Sequence, residues 1–140
     1  MRHLNDNDKV FICLDRGEDL FSSLENLATQ ENWQTAYLSG IGAVEDVELG
    51  LYNPKTKAYD RKNFPQVAEL LSLDGNLTLK DGKPFFHLHA VLSGQDYRCY
   101  GGHLFSAKIA AVCEINLQLV HGKVTRNHNA NIGLFDCKIH

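Results

Sequence analysis

The 140-residue chain is 44% apolar and 22% charged, the balance of a soluble globular protein, and its length suits one α+β domain over residues 1–140 that buries its own core. Its 14 Lys and Arg against 17 Asp and Glu leave a net charge of −3. That argues against autonomous, non-specific DNA binding, which draws its affinity from neutralised phosphates, although a basic patch built by oligomerisation stays open.

No apolar run approaches the roughly 20 residues of a membrane helix. The opening Met-Arg-His-Leu-Asn-Asp has no apolar signal core, so the cytoplasm is the expected compartment. Lys9–Leu14 is an apolar run of strand length closed by Asp15-Arg16-Gly17. A helix should follow, with Glu18 and Asp19 in its first turn, where negative charge suits the dipole. Leu20, Phe21, Leu24, Leu27 and Ala28 make its apolar face, and its end falls near Gln30 to Trp33, with Trp33 packed there.

Thr35–Leu38 reads as a strand. Gly40-Ile41-Gly42 lacks the third glycine and following helix of a dinucleotide fingerprint, so it predicts a bulge or bend before a strand over Val44–Leu51. Asn53–Lys57 is a turn and Ala58–Phe64 an exposed connection. Val67–Leu73 reads as a strand ending at Asp74-Gly75, with Asn76–Leu79 pairing back across that turn as a hairpin. After a turn at Lys80–Lys83, Pro84–Ser93 is a strand. Ala107–Val120 is another, placing Cys113, Ile115, Leu117 and Leu119 on one face and Glu114, Asn116 and Gln118 on the other. Val124–His128 and Leu134–Ile139 form a final pair. Many strands with one principal helix predict an α+β domain on a mainly antiparallel sheet, whose exposed edges invite self-association.

Within the strand Pro84–Ser93, side chains two apart share a face. His87 and His89 therefore stand together while Phe86, Leu88 and Ala90 enter the core. His103 follows a Gly101-Gly102 turn that permits close backbone approach, which makes it the natural third ligand. Three imidazoles leave a coordination position open on zinc or a similar divalent metal, as catalytic sites do; the competing reading has His87 and His89 as solvent-facing strand residues and His103 as a loop residue bonded to backbone. His3, His121, His128 and His140 read as surface residues. Cys13, Cys99, Cys113 and Cys137 contain no C-x-x-C pair and read as buried thiols, with Cys99 near enough in sequence to His103 to join a metal site. Lys80, Lys83, Lys123 and Arg126 are scattered and make no basic run.

Arg16-Gly17-Glu18-Asp19, Leu38–Val44, Leu71–Asn76, His87-Leu88-His89-Ala90, Gly101-Gly102-His103-Leu104 and Ala111–Ile115 occur in an order that resembles the plants-and-prokaryotes-conserved (PPC) domain. This module accompanies the AT-hooks of plant DNA-binding proteins and stands alone in prokaryotes. The resemblance covers about Val10 to Leu119. It implies a homotrimer, a mainly antiparallel α+β subunit, and a metal held by His87, His89 and His103. No AT-hook is present, so the DNA contact of the plant members does not transfer.

Three function classes compete. One is a DNA-binding or regulatory homotrimer carrying the metal site. Another is a zinc enzyme, such as a small-molecule hydrolase, with Glu114 on the polar face of its strand as general base; zinc lowers the pKa of bound water to about 7. The last is a trimeric interaction module with the metal as a structural pin.

Overall fold

Apolar residues at every second position build the sheet, and a helical spacing of leucines builds the one helix packed on it. The computed structural model describes residues 1–140. In chain order the elements are β1 (Arg2–Asp6), β2 (Lys9–Asp15), α1 (Leu20–Gln30), β3 (Ala36–Asn53), β4 (Ala58–Phe64), β5 (Ala68–Lys80), β6 (Lys83–Ser93), β7 (Cys99–Leu119), β8 (Val124–Asn129) and β9 (Leu134–Ile139). The fold is the expected α+β class. All pairings are antiparallel except β5 with β8.

The sheet runs β1-β2-β7-β3-β5-β8-β9, with β4 on β3 and β6 bridging β5 and β7. Strands β3, β5, β6 and β7 thus close a ring of pairings. Its inner side holds Leu38, Leu73, Leu77, Leu88, Ile115 and Leu117, all buried, and α1 adds Leu20, Leu24, Leu27 and Ala28. Each such leucine contributes on the order of 1.5–3 kcal/mol by leaving water. Cys113, Ile115 and Leu117 are buried while Glu114, Asn116 and Gln118 are exposed, as alternation predicted.

Asp19 does not sit in the first turn of α1; it caps it, with Oδ1 accepting from Ser22 N at 2.8 Å. The helix ends at Gln30, and Trp33 is buried just beyond it. The register of β3 against β5 shifts between Gly40 and Gly42, so those glycines do mark a bulge.

Four further expectations are corrected. Ala58–Phe64 is not a loose connection but β4, paired with the far half of β3. No turn occurs at Asp74-Gly75, because β5 runs unbroken to Lys80; Gly75 serves a close approach instead, a Cβ there standing 2.0 Å from the His87 carbonyl oxygen. Gly101 and Gly102 likewise lie inside β7 rather than in a turn, and a Cβ on Gly102 would come within 2.7 Å of the Gly50 carbonyl oxygen. Of the cysteines only Cys113 is buried, with Cys99 and Cys137 exposed. The structure also contains β1, an exposed strand on β2 that the polar Arg2–Asp6 does not signal.

Candidate metal centre

His87 and His89 lie on the outward face of β6, and their neighbours Phe86, Leu88 and Ala90 are buried beneath them. His103 is brought alongside by register, since it pairs directly with His89 across β6 and β7. The ring centroids are 5.3 Å apart for His87 and His89, 5.0 Å for His87 and His103, and 5.4 Å for His89 and His103. One nitrogen from each ring falls within 4.8 Å of the other two. His87 and His103 are half-buried and His89 is exposed.

His87 and His103 are electrostatically prepared to stay neutral. Burial, then the Arg126 guanidinium and His89, holds His87 down at about 4 from an ordinary 6.5. Burial is also the main cause at His103, followed by His87, His89, Arg126 and Arg61, and it too sits at about 4. Both rings therefore keep a free lone pair near neutral pH, as metal ligation requires. His103 Nδ1 is buried with no hydrogen-bond partner, and buried polar atoms are rarely left so. A divalent cation fits that orphaned nitrogen and the imidazole donor set.

A cavity of about 220 Å³ opens beside the rings, with Tyr59, Phe85, Phe105, Leu134 and Phe135 as its walls. Tyr59 lies 4.9 Å from the His103 ring and Phe105 4.6 Å. Burial chiefly, with Tyr52, raises the Tyr59 phenol above its usual range, so it stays protonated. Gly50 leaves room for the Phe105 wall, since a Cβ there would meet that ring at 2.5 Å.

The residues around the histidines come from strands that are distant in sequence. Asp74 stands opposite His89 and Asn76 opposite His87 on β5. Arg126 reaches in from β8, which pairs with the end of β5; its Nη2 donates to Asn76 Oδ1 at 2.9 Å and lies 3.2 Å from His87 Nδ1. None of these was anticipated in the sequence. The Leu71–Asn76 segment carried a signal for Asp74 and Asn76, whereas a lone arginine in Val124–His128 carried none.

Glu114 is not brought to the cluster. It shares the outward face, but its strand β7 meets the cluster at His103, and Glu114 lies 11 residues further along that strand, paired with Ile41 and Cys13. A general base must lie within hydrogen-bond reach or one water of its proton, and the strand pairing does not bring Glu114 there. Cys99 is also outside the cluster, opposite Ser93. His3, His121, His128 and His140 are exposed, as expected.

This sheet and its three clustered imidazoles define an α+β domain with a candidate cation site. The Plants and Prokaryotes Conserved (PCC) domain matches residues 1–121. A PPC protein from Pyrococcus horikoshii is 31% identical with a TM-score of 0.84, over 91% of this chain and 90% of that one. The metal-containing protein of Archaeoglobus fulgidus is 37% identical with a TM-score of 0.86, over 91% of both. A Bacteroides thetaiotaomicron protein named as a candidate DNA-binding protein is 26% identical with a TM-score of 0.93, over 98% of this chain and 96% of that one. No curated protein matches the chain. The chain belongs to the Plants and Prokaryotes Conserved domain family, the PPC domain of the resemblance above.

Proposed function

We propose that this single-domain protein is a homotrimeric PPC protein of the regulatory, DNA-associated type, with a divalent cation of the zinc class resident on His87, His89 and His103. The observation that carries the cation is the convergence of three imidazole nitrogens within 4.8 Å, one ring leaving a buried nitrogen unpaired. The metal-containing relative, at 37% identity, supports it. Elemental analysis tests it: about one zinc-class ion per chain in the wild type, and none in His87→Ala/His89→Ala.

The trimer is supported by apolar side chains on the outward face. Phe11, Tyr37, Ile41 and Val91 are 41–62% exposed there, and contiguous exposed apolar surface marks interaction sites. A DNA-associated role is supported by the family and by the name of the Bacteroides relative. The chain's net charge of −3 makes its own affinity for a duplex weak, so recognition of DNA would need a partner or the assembled trimer.

A second reading is favoured by the cavity that opens onto two of the ligands. A bound cation would supply Lewis acidity at that point, and the chain's aromatic walls would exclude water from a small substrate. In such an enzyme Asp74, opposite His89, replaces Glu114 as the nearer carboxylate. No helix is long and apolar enough to cross a membrane.

A further inference from the structure

Arg126 is only 8% exposed, yet no carboxylate lies within 4 Å of it: every ion pair in the molecule involves other residues. Its hydrogen-bond partners are all neutral. Nε donates to Thr78 Oγ1 at 3.0 Å, Nη1 to the Phe135 carbonyl at 3.3 Å, and Nη2 to Asn76 Oδ1 at 2.9 Å. The remaining contact is with His87 Nδ1 at 3.2 Å. A guanidinium has five N–H groups, so at least one has no acceptor, and the charge has no counter-charge.

Buried charges are ordinarily paired, because leaving water is costly for an ion without a partner. Here the surroundings deepen the deficit. Lys80, the register partner of Arg126, sits 3.5 Å above the Phe135 ring and forms no ion pair. No Asp or Glu lines the cavity. A cation on the histidines would add further positive charge, and ligation through His87 Nε2 would put a proton on Nδ1 and remove that acceptor from Arg126.

We infer that the cavity between Arg126 and the histidines is a binding site for a small organic carboxylate, whose charge pairs with the guanidinium and whose apolar body lies among Tyr59, Phe85, Phe105 and Phe135. Arginine is suited to this by its planar fork of donors, which matches a carboxylate. The size fits as well: about 220 Å³ is below the roughly 300–1,000 Å³ of sites for drug-sized ligands. A single ring or short branched chain fills it. Arg126, Leu134 and Phe135 lie beyond residues 1–121, the span matched by the family model, so the C-terminal strands build one side of this cavity and supply its charge. It deepens the metal reading without depending on it, since Arg126 needs an anion with or without the cation.

The test is calorimetric titration of the full chain with benzoate and with benzamide, its neutral isostere, at fixed ionic strength, in zinc-loaded and in chelator-treated protein, with metal content measured on each sample. Benzoate is expected to bind at least tenfold more tightly than benzamide, and Arg126→Gln is expected to remove that preference while leaving zinc content unchanged. Should Arg126→Gln fold poorly, the ¹⁵Nε resonance of Arg126 in the wild type gives the same answer, by shifting with benzoate and not with benzamide. Equal affinity for the two probes, or a preference that survives Arg126→Gln, overturns the inference. Absence of zinc from the wild type overturns the metal reading alone, because the benzoate preference of that same sample still reports on Arg126.

Discussion

His89 stands directly opposite His103 across β6 and β7, with their ring centroids 5.4 Å apart. The site is therefore a consequence of strand register. A slip of one residue between these strands would turn one histidine to the opposite face, so whatever pins β6 against its neighbours also assembles the ligands.

Gly75 is one such pin. A Cβ there would sit 2.0 Å from the backbone oxygen of His87, and backbone cannot yield as a flexible side chain can. Gly75→Ala should destabilise the fold by about 2 kcal/mol or more and weaken metal retention together with it. Gly122→Ala, at a position with nothing within 4 Å, should stay within about 0.5 kcal/mol. Urea unfolding of the two variants checks the contrast.

Acid should act on the metal-free protein through His87 and His103. Both are held at about 4 in the fold against 6.5 when unfolded, so the unfolded chain takes up protons first as pH falls. Their neutral forms favour the fold above pH 6.5, and that stability is lost between 6.5 and 4. Partial exposure to solvent screens the effect to on the order of 1 kcal/mol for each ring. Thermal melts of chelator-treated protein should fall through this window, and His87→Gln should flatten the slope.

The outward face should hold the assembly. Three chains of 15.7 kDa give about 47 kDa, the mass expected from light scattering at micromolar concentration. Ile41→Glu, placing charge on a side chain 56% exposed in the single chain, should shift the protein to monomer without unfolding it. Retention of the wild-type mass would remove Ile41 from the interface.

Duplex DNA of random sequence should not shift in electrophoresis at physiological salt with low-micromolar protein. With 14 basic residues against 17 acidic ones, too little phosphate neutralisation is on offer. Tight binding that resists added salt would contradict this.

The pairing of His87 with His89 was legible because period two in β6 is local, whereas His103 was reached through an expected glycine turn and is in fact placed by the register of β7 against β6. What escaped was long-range. Asp74-Gly75 has the composition of a hairpin turn, and only the nearness of β6 explains a glycine in mid-strand. Ala58–Phe64 is too polar to read as a strand, since β4 lies at an edge with most of its side chains exposed. Arg126 had no sequence signature, because its burial follows from the short parallel contact of β8 with β5, and Lys80 joins it from 46 positions earlier in the numbering. Glu114 was placed on the correct face, but alternation says nothing of where along β7 the histidines of β6 meet it.

Whether His87, His89 and His103 together hold a divalent cation is settled by anomalous diffraction at the zinc edge, from crystals of protein loaded with one equivalent of zinc. A single dominant peak is expected about 2.0–2.1 Å from one nitrogen of each ring. A map with no peak among the three imidazoles, or a peak held by other residues, would contradict it.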